Sequence, residues 1–281
     1  MGAAMVHTLR LAGFSVEVWN RSSDKSRAVA DATGATTART PAEAAAGVGV
    51  IISSLADDAA VEDVYLGSGH LASGVGPGQV VIEMSTVHPE TQRTVGGAVE
   101  ASGAGFLDAP VSGSVSTAEA GALTIMAAGS KEALDAARPV LDTLATTVVH
   151  VGARGAGAAT KLAVNALVHG LNMVLAEALV LAERAGVERS IVYDVFASGA
   201  GGAPFVLYKR EAFEQPEQAA VAFSLDLVAK DYELIAQLAD EVGAPMRQAS
   251  VGLEIVNDAI GAGMGEQDMS AVAVYLRKDK P

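Results

Sequence analysis

Two stretches of this chain carry polar groups at spacings that a reaction centre uses. The first, Asp108-Ala-Pro-Val-Ser-Gly113, reads as a strand end running into a turn of backbone donors, with a serine hydroxyl among them. Such a turn can hold a carboxylate. The second, Gly155-Ala-Gly-Ala-Ala-Thr-Lys-Leu-Ala-Val-Asn165, opens a long apolar run. On a helix Lys161 and Asn165 lie one turn apart on the same face, and His169 continues the stripe among Leu162, Val164 and Leu167. An isolated lysine in such a helix ordinarily extends its amine to water. Burying the ammonium instead is costly unless something pairs with it or uses it. With Asn165 beside it and glycines ahead of it, the chemistry that fits is proton transfer to a substrate oxygen by Lys161, with Asn165 fixing that oxygen.

The elements that must position these groups follow from composition and periodicity. Half of the 281 residues are hydrophobic and 4% are aromatic, a composition suited to close packing of helices on strands. No apolar run approaches the roughly 18 residues of a membrane span, and Met1–Phe14 lacks the pattern of a secretion signal. The absence of cysteine excludes disulfides and thiolate chemistry. The five histidines, His7, His70, His88, His150 and His169, have no ligand-like spacing, so no metal is expected. A formal charge of −14 argues against nucleic acid and anionic membrane as partners; a cytoplasmic location is expected.

Up to about Gly152, short apolar strands alternate with helices: Ser15–Trp19, Val48–Ile52, Gln79–Met84, Gly105–Ala109, Ala122–Ala128 and Thr146–Val151 as strands, with helices such as Ser23–Ala32, Asp57–Tyr65, Glu90–Ala101 and Lys131–Leu144 between them. This predicts an α/β fold, a doubly wound, mostly parallel sheet over residues 1–152. Residues 153–281 then have helical period almost throughout, an all-α domain led by a long helix from about Gly155 to Ala185 that would form the spine between the two.

A doubly wound sheet that binds a dinucleotide starts with a strand and Gly-x-Gly-x-x-Gly. Here the chain opens directly on a helical pattern, in which Gly2 fits the last glycine of that fingerprint and Met5 follows in the first turn. The reading therefore predicts a missing first strand and about ten further residues ahead of Met1. The end of the second strand, where a ribose would lie, reads Asn20-Arg21-Ser22 with no acidic residue. An arginine with hydroxyl and amide neighbours suits a 2′-phosphate, which predicts NADPH in preference to NADH.

Taken together, Asn20-Arg21-Ser22, Met84-Ser85-Thr86, Asp108–Gly113 followed by Ala118–Met126, Gly155–Asn165, and Phe223-x-x-x-Leu-x-x-Lys230-Asp231 resemble the β-hydroxyacid dehydrogenase family over essentially the whole chain. That family includes 3-hydroxyisobutyrate dehydrogenases and tartronate, glyoxylate and succinic semialdehyde reductases. The resemblance implies Lys161 and Asn165 as catalytic residues, Ser112, Gly113 and Ser114 as the substrate-carboxylate loop, and Leu55 and Thr86 along the cofactor. It also implies Lys230 near substrate or cofactor, with Asp231 following it. Ser114 stands where the family often has another glycine, a departure that bears on substrate length.

The implied activity is NADPH-dependent reduction of a small carboxylate-bearing aldehyde or keto acid, reversible to hydroxyacid oxidation, with NAD as the second cofactor. Imine reductases and reductive aminases share the architecture but commonly lack a lysine at this helix position. A non-catalytic module keeping the fold would not need Lys161, Asn165 and Ser112. A long apolar helix usually finds a partner surface, so a homodimer or homotetramer is expected, with the loop Ser198–Pro204 at a neighbour's site.

Overall fold

The computed structural model describes residues 1–278 and forms two compact units, Met1–Lys161 and Leu162–Pro281. The change from mixed to all-helical structure comes at Gly152, and the division between units falls further on, inside a helix.

The first unit is built on strands β3 (Val50–Ser53), β4 (Val80–Glu83), β5 (Gly105–Asp108), β6 (Val111–Ser112), β7 (Leu123–Gly129) and β8 (Ala145–Gly152). They form one sheet in the order β3-β4-β5-β7-β6, with β8 also paired to β7. The strand β4 shows why this sheet is covered on both faces. Val80 and Ile82 pack into one core cluster with Leu107, Leu123 and Leu141, while Val81 packs into the other with Tyr65, Val95 and Phe106. A continuous apolar run is what such a two-sided strand requires.

The sheet is mostly parallel, as expected, with one reversal. β3, β4 and β5 are parallel, and so are β7 and β8, but β7 runs antiparallel to β5 and β6. The reversal has a local cause. β5 and β6 run in the same direction on one continuous register against β7, and the chain reverses only after Ser112, through Gly113 and the short helix α6 (Val115–Glu119) that precede β7. A separate two-stranded parallel sheet holds β1 (Glu17–Val18) and β2 (Thr36–Thr37), in register Val18 with Thr37. Between them lies α2 (Ser23–Thr33), and ahead of them α1 (Gly2–Leu11), whose Ala4, Met5 and Leu9 enter the sheet's core.

Helix boundaries follow ordinary capping. Asp57 accepts from the Ala60 amide at the start of α4 (Asp58–Leu66), and Ser130 accepts from the Ala133 amide at the start of α7 (Lys131–Leu144). The remaining helix of this unit with a substantial buried face is α5 (Pro89–Ala101).

The helix α8 (Ala156–Arg184) is 29 residues long, about 44 Å at 1.5 Å per residue. By length and composition it is apolar enough to cross a bilayer, a property the residue-by-residue reading missed because polar side chains interrupt the run. Half of its most apolar window is buried inside the protein, which is the behaviour of a core helix.

In the second unit α8 is followed by α9 (Arg189–Ser198), α10 (Pro204–Tyr208), α11 (Arg210–Glu214), α12 (Leu225–Val242), α13 (Arg247–Ala259) and α14 (Val272–Lys278). Their core is led by Leu162, Leu179, Tyr193, Phe213, Leu225, Tyr232 and Val272. Asp268 caps the short turn Met269–Ala271 by accepting from the Ser270 amide. It also forms a buried ion pair with Lys209 at 2.8 Å and accepts from the Ala222 and Phe223 amides. This carboxylate thus ties three segments of the unit together.

Candidate active site

The geometry of the first unit converges on Asp108, at the end of β5. Its carboxylate is fully buried and accepts from the amides of Gly155 at 2.9 Å and Ala158 at 3.0 Å, with the Gly157 amide beside them. These are orphan donors at the first turn of α8, so Asp108 acts as that helix's cap from a distant strand. The glycines are required for it. A Cβ on Gly157 would stand 2.4 Å from the Asp108 carbonyl oxygen, and Gly155 adopts a φ of +94°. Burial pushes the Asp108 carboxyl up to about 6, against the opposing pull of its amide donors, and nearby Glu83 adds to the rise. Lys161 follows Ala158 on the next turn of α8 and is half-buried. Asp108 therefore fixes the position of the lysine-bearing turn relative to the strand that leads into the serine turn.

In that serine turn Ser112 closes β6, and Gly113 adopts a φ of +140°. A Cβ there would meet Leu123 at 2.8 Å and Thr117 at 3.0 Å, so the turn's shape depends on glycine. Ser114 has a different task from the carboxylate grip expected of it. Its hydroxyl accepts from the Thr117 amide and its own amide donates to the Thr117 hydroxyl, a capping box at the start of α6. Its amide donor is thereby spent on the start of that helix.

Behind these strands lies a buried acid cluster that sequence reasoning missed. Glu83 accepts from the Ser53 hydroxyl and from the Ser85 amide at 2.6 Å, and Ser53 also bonds Tyr65 at 2.6 Å. Burial raises both the Glu83 carboxyl and the Tyr65 hydroxyl above their ordinary ranges. The Ser85 hydroxyl in turn accepts from the Leu55 amide at 2.7 Å. Leu55 and Thr86 are thereby set at the ends of the adjacent parallel strands β3 and β4, both half-buried. Strand carboxyl ends are where open α/β sheets take ligands.

At the ends of β1 and β2 lies a cavity of about 410 Å³, within the roughly 300–1,000 Å³ range of small-molecule sites. Trp19, Asn20, Arg21, Arg27 and Arg39 line it. The Asn20 side chain accepts from the Ser22 amide at 2.9 Å, which shapes the turn around Arg21. Arg27 pairs with Asp24 and Arg39 with Glu43, whereas Arg21 has no ion-pair partner among the described residues. An unpaired guanidinium in a chain of strongly negative charge suits the phosphate of a dinucleotide. Gly2 lies at the start of α1 with open space where a Cβ would go, so the close packing expected of it is not met among the described residues. Met5 is 2% exposed and packs inward to the sheet's core.

In the second unit Asn165 is buried and donates to Asp231 at 2.6 Å. His169 lies 3.3 Å from the same carboxylate oxygen, between the rings of Phe223 and Tyr232, and Lys230 lies 3.1 Å from the other oxygen. Burial pushes the Asp231 carboxyl up, but the His169 hydrogen bond and the Lys230 charge outweigh it and carry it below the usual range. Asp231 was expected at the cofactor. With no exposed surface, it instead holds Asn165 and His169, so its part is structural. The signal was present in the sequence as the Asn165–His169 spacing on one helix face, which needed a buried acceptor.

Comparison with known proteins agrees with this geometry. The family described as the NAD binding domain of 6-phosphogluconate dehydrogenase matches residues 1–152, and that described as NAD-binding of NADP-dependent 3-hydroxyisobutyrate dehydrogenase matches residues 155–276. The 2-(hydroxymethyl)glutarate dehydrogenase of Eubacterium barkeri is 33% identical over 97% of this chain and 90% of its own. The NAD-dependent L-serine dehydrogenase of Pseudomonas aeruginosa is 32% identical over 97% and 93%. The crystal structure of 3-hydroxyisobutyrate dehydrogenase from Salmonella typhimurium superposes with a TM-score of 0.88 at 29% identity, covering 98% of this chain and 95% of that one. The chain belongs to the β-hydroxyacid dehydrogenase family of oxidoreductases, which use NADP or NAD.

Proposed function

We propose that this protein reduces small carboxylate-bearing aldehydes or keto acids with NADPH as the preferred cofactor, and that Lys161 donates the proton. The observation that carries the reading is the cap of α8 by Asp108, which makes the serine turn and the lysine-bearing turn parts of one rigid arrangement. Asn20, Arg21 and Ser22 would hold the adenosine end of the cofactor, with Leu55 and Thr86 along it. When bound, the cofactor supplies a hydride to the carbonyl carbon. The substrate's carboxylate is held at Ser112 and Gly113, by the hydroxyl and the turn's amides. Lys161 Nζ hydrogen-bonds the carbonyl oxygen and passes it a proton as negative charge develops there. Asn165 gives one amide hydrogen to Asp231, which fixes the side chain and leaves its second for the same oxygen.

The family description that names an NADP-dependent enzyme supports the cofactor preference, and Arg21 supports it on chemical grounds. The names of the relatives, which point to glutarate- and serine-derived hydroxyacids, support a carboxylate in the substrate. The carboxylate site is tested by Ser112→Ala. Its KM for an aldehyde acid is expected to rise about tenfold or more, the size of one charge-assisted hydrogen bond, with little change in kcat. An unchanged KM removes Ser112 from the substrate site.

A further inference from the structure

The cavity at the ends of β1 and β2 contains a second arginine whose geometry is unusual for a surface residue. The parallel ladder pairs Val18 with Thr37, and the Ala38 amide donates to the Val18 carbonyl at 3.0 Å. Continuing that register sets Arg39 beside Asn20, one residue from Arg21. The indole of Trp19 donates to the Arg39 carbonyl at 3.3 Å and ties the two strand ends together. Glu43, in the first turn of α3 (Pro41–Ala45), accepts both from the Arg39 backbone amide at 2.9 Å and from its Nε at 3.2 Å. The Thr40 hydroxyl meanwhile caps the same turn by accepting from the Glu43 amide.

An arginine can present two forks, one through Nε and one through its two terminal nitrogens. Glu43 takes the Nε side. Among the described residues the terminal pair carries no hydrogen bond or ion pair, and Arg39 is one of the residues lining the cavity. Arg27, which also lines the cavity, spends a terminal nitrogen on Asp24, whereas Arg21 and Arg39 have both terminal nitrogens without a partner among the described residues.

We propose that Arg39, oriented by Glu43, is a second specificity-determining residue that grips the 2′-phosphate of NADPH together with Arg21. This rests on the NADPH reading above and extends it to a strand end the fingerprint region does not include. The ligand class is an adenosine bearing a 2′-phosphate. The carboxylate of Glu43 serves as a positioning group, holding the guanidinium at its Nε edge so that its outer fork stays turned to the anion.

Trp19 is the single tryptophan of the chain and lines this cavity, so its fluorescence reports binding there without any turnover. The experiment titrates the whole protein with adenosine 2′,5′-bisphosphate and with 5′-ADP, in wild type and in Arg21→Gln, Arg39→Gln and Glu43→Gln. Arg39 is exposed, so its replacement leaves the core intact. The expected result is a Kd for the bisphosphate raised about tenfold in Arg39→Gln, with the Kd for 5′-ADP unchanged. Glu43→Gln is expected to raise the bisphosphate Kd about threefold, since the guanidinium is retained but loosened. Wild-type affinity for the bisphosphate in Arg39→Gln, beside a loss in Arg21→Gln, overturns the role of Arg39 and leaves the NADPH reading standing. Equal binding of the two nucleotides by the wild type overturns both.

Discussion

Lys161→Ala is expected to lower kcat by at least about a hundredfold, the usual size of a lost general acid. KM for the substrate should change far less, because the carboxylate contacts proposed for Ser112 and Gly113 are untouched. Lys161→Arg separates two ways the lysine can act. Arginine keeps the positive charge but does not release a proton near neutral pH. If proton donation is the task, the arginine variant is as slow as the alanine one. If it recovers most of the rate, the lysine acts only as a fixed charge. A loss in Lys161→Ala of less than tenfold assigns the proton to another group.

The second large effect is expected at Asp108. Replacing it by alanine leaves the buried Gly155 and Ala158 amides without an acceptor, at about 1–3 kcal/mol each. The turn that carries Lys161 then loses its anchor to β5. Asp108→Ala should lower kcat by about tenfold or more, while adenosine bisphosphate binding read at Trp19 stays near wild type. Asp108→Asn keeps one acceptor oxygen and should restore most of the rate. Gly157→Ala, which pushes a methyl against the Asp108 carbonyl, should resemble the alanine variant although the acid is retained.

Asp108 also predicts a direction for stability against pH. Its folded pKa of about 6 lies above the ordinary value of 3.8, so the folded chain binds this proton first as pH falls. The contribution of this group to stability therefore rises as pH drops from above 6 towards 4, and is lost as pH rises through 6. The difference in urea midpoint between wild type and Asp108→Asn should shift in favour of wild type as pH is lowered across that window. A shift in the opposite direction contradicts a buried, proton-hungry carboxyl.

Much of this fold can be read from the chain because its signals are local. The helix α7 has the boundaries its pattern predicts, Lys131–Leu144, since Ser130 caps one end and an apolar strand follows the other. The long helix α8 and the buried strand β4 are likewise set by runs of residues that speak for themselves. What escaped reading depends on partners distant in sequence. β2 is two exposed threonines, with no apolar alternation to announce it, and it exists because β1 lies beside it. The direction of β7 is set by the reversal through Gly113 and α6, too short for periodicity to register.

The site divides in the same way. The spacing of Lys161 and Asn165 and the Ser112-Gly113 turn were legible as residue types placed to do chemistry. Their supports were not: Asp108 reaches across to the amides of α8, and Asp231 reaches Asn165 and His169 from another helix. Ser114 was read as part of an anion loop because it follows Gly113, yet its pairing with Thr117 makes it the start of a helix. A serine with threonine three residues on was a weak capping signal that the neighbouring motif concealed.

The central claim is that a carbonyl acid is held by its carboxylate and reduced. The most direct measurement is NADPH consumption by the wild-type protein with succinic semialdehyde against butanal, which matches it in chain length and lacks the carboxylate, with a cyclic imine alongside. The account predicts kcat/KM at least about tenfold higher for the acid, as a charge-assisted contact to the carboxylate requires, and no turnover of the imine. Equal rates for the acid and the neutral aldehyde, or turnover of the imine alone, would contradict it.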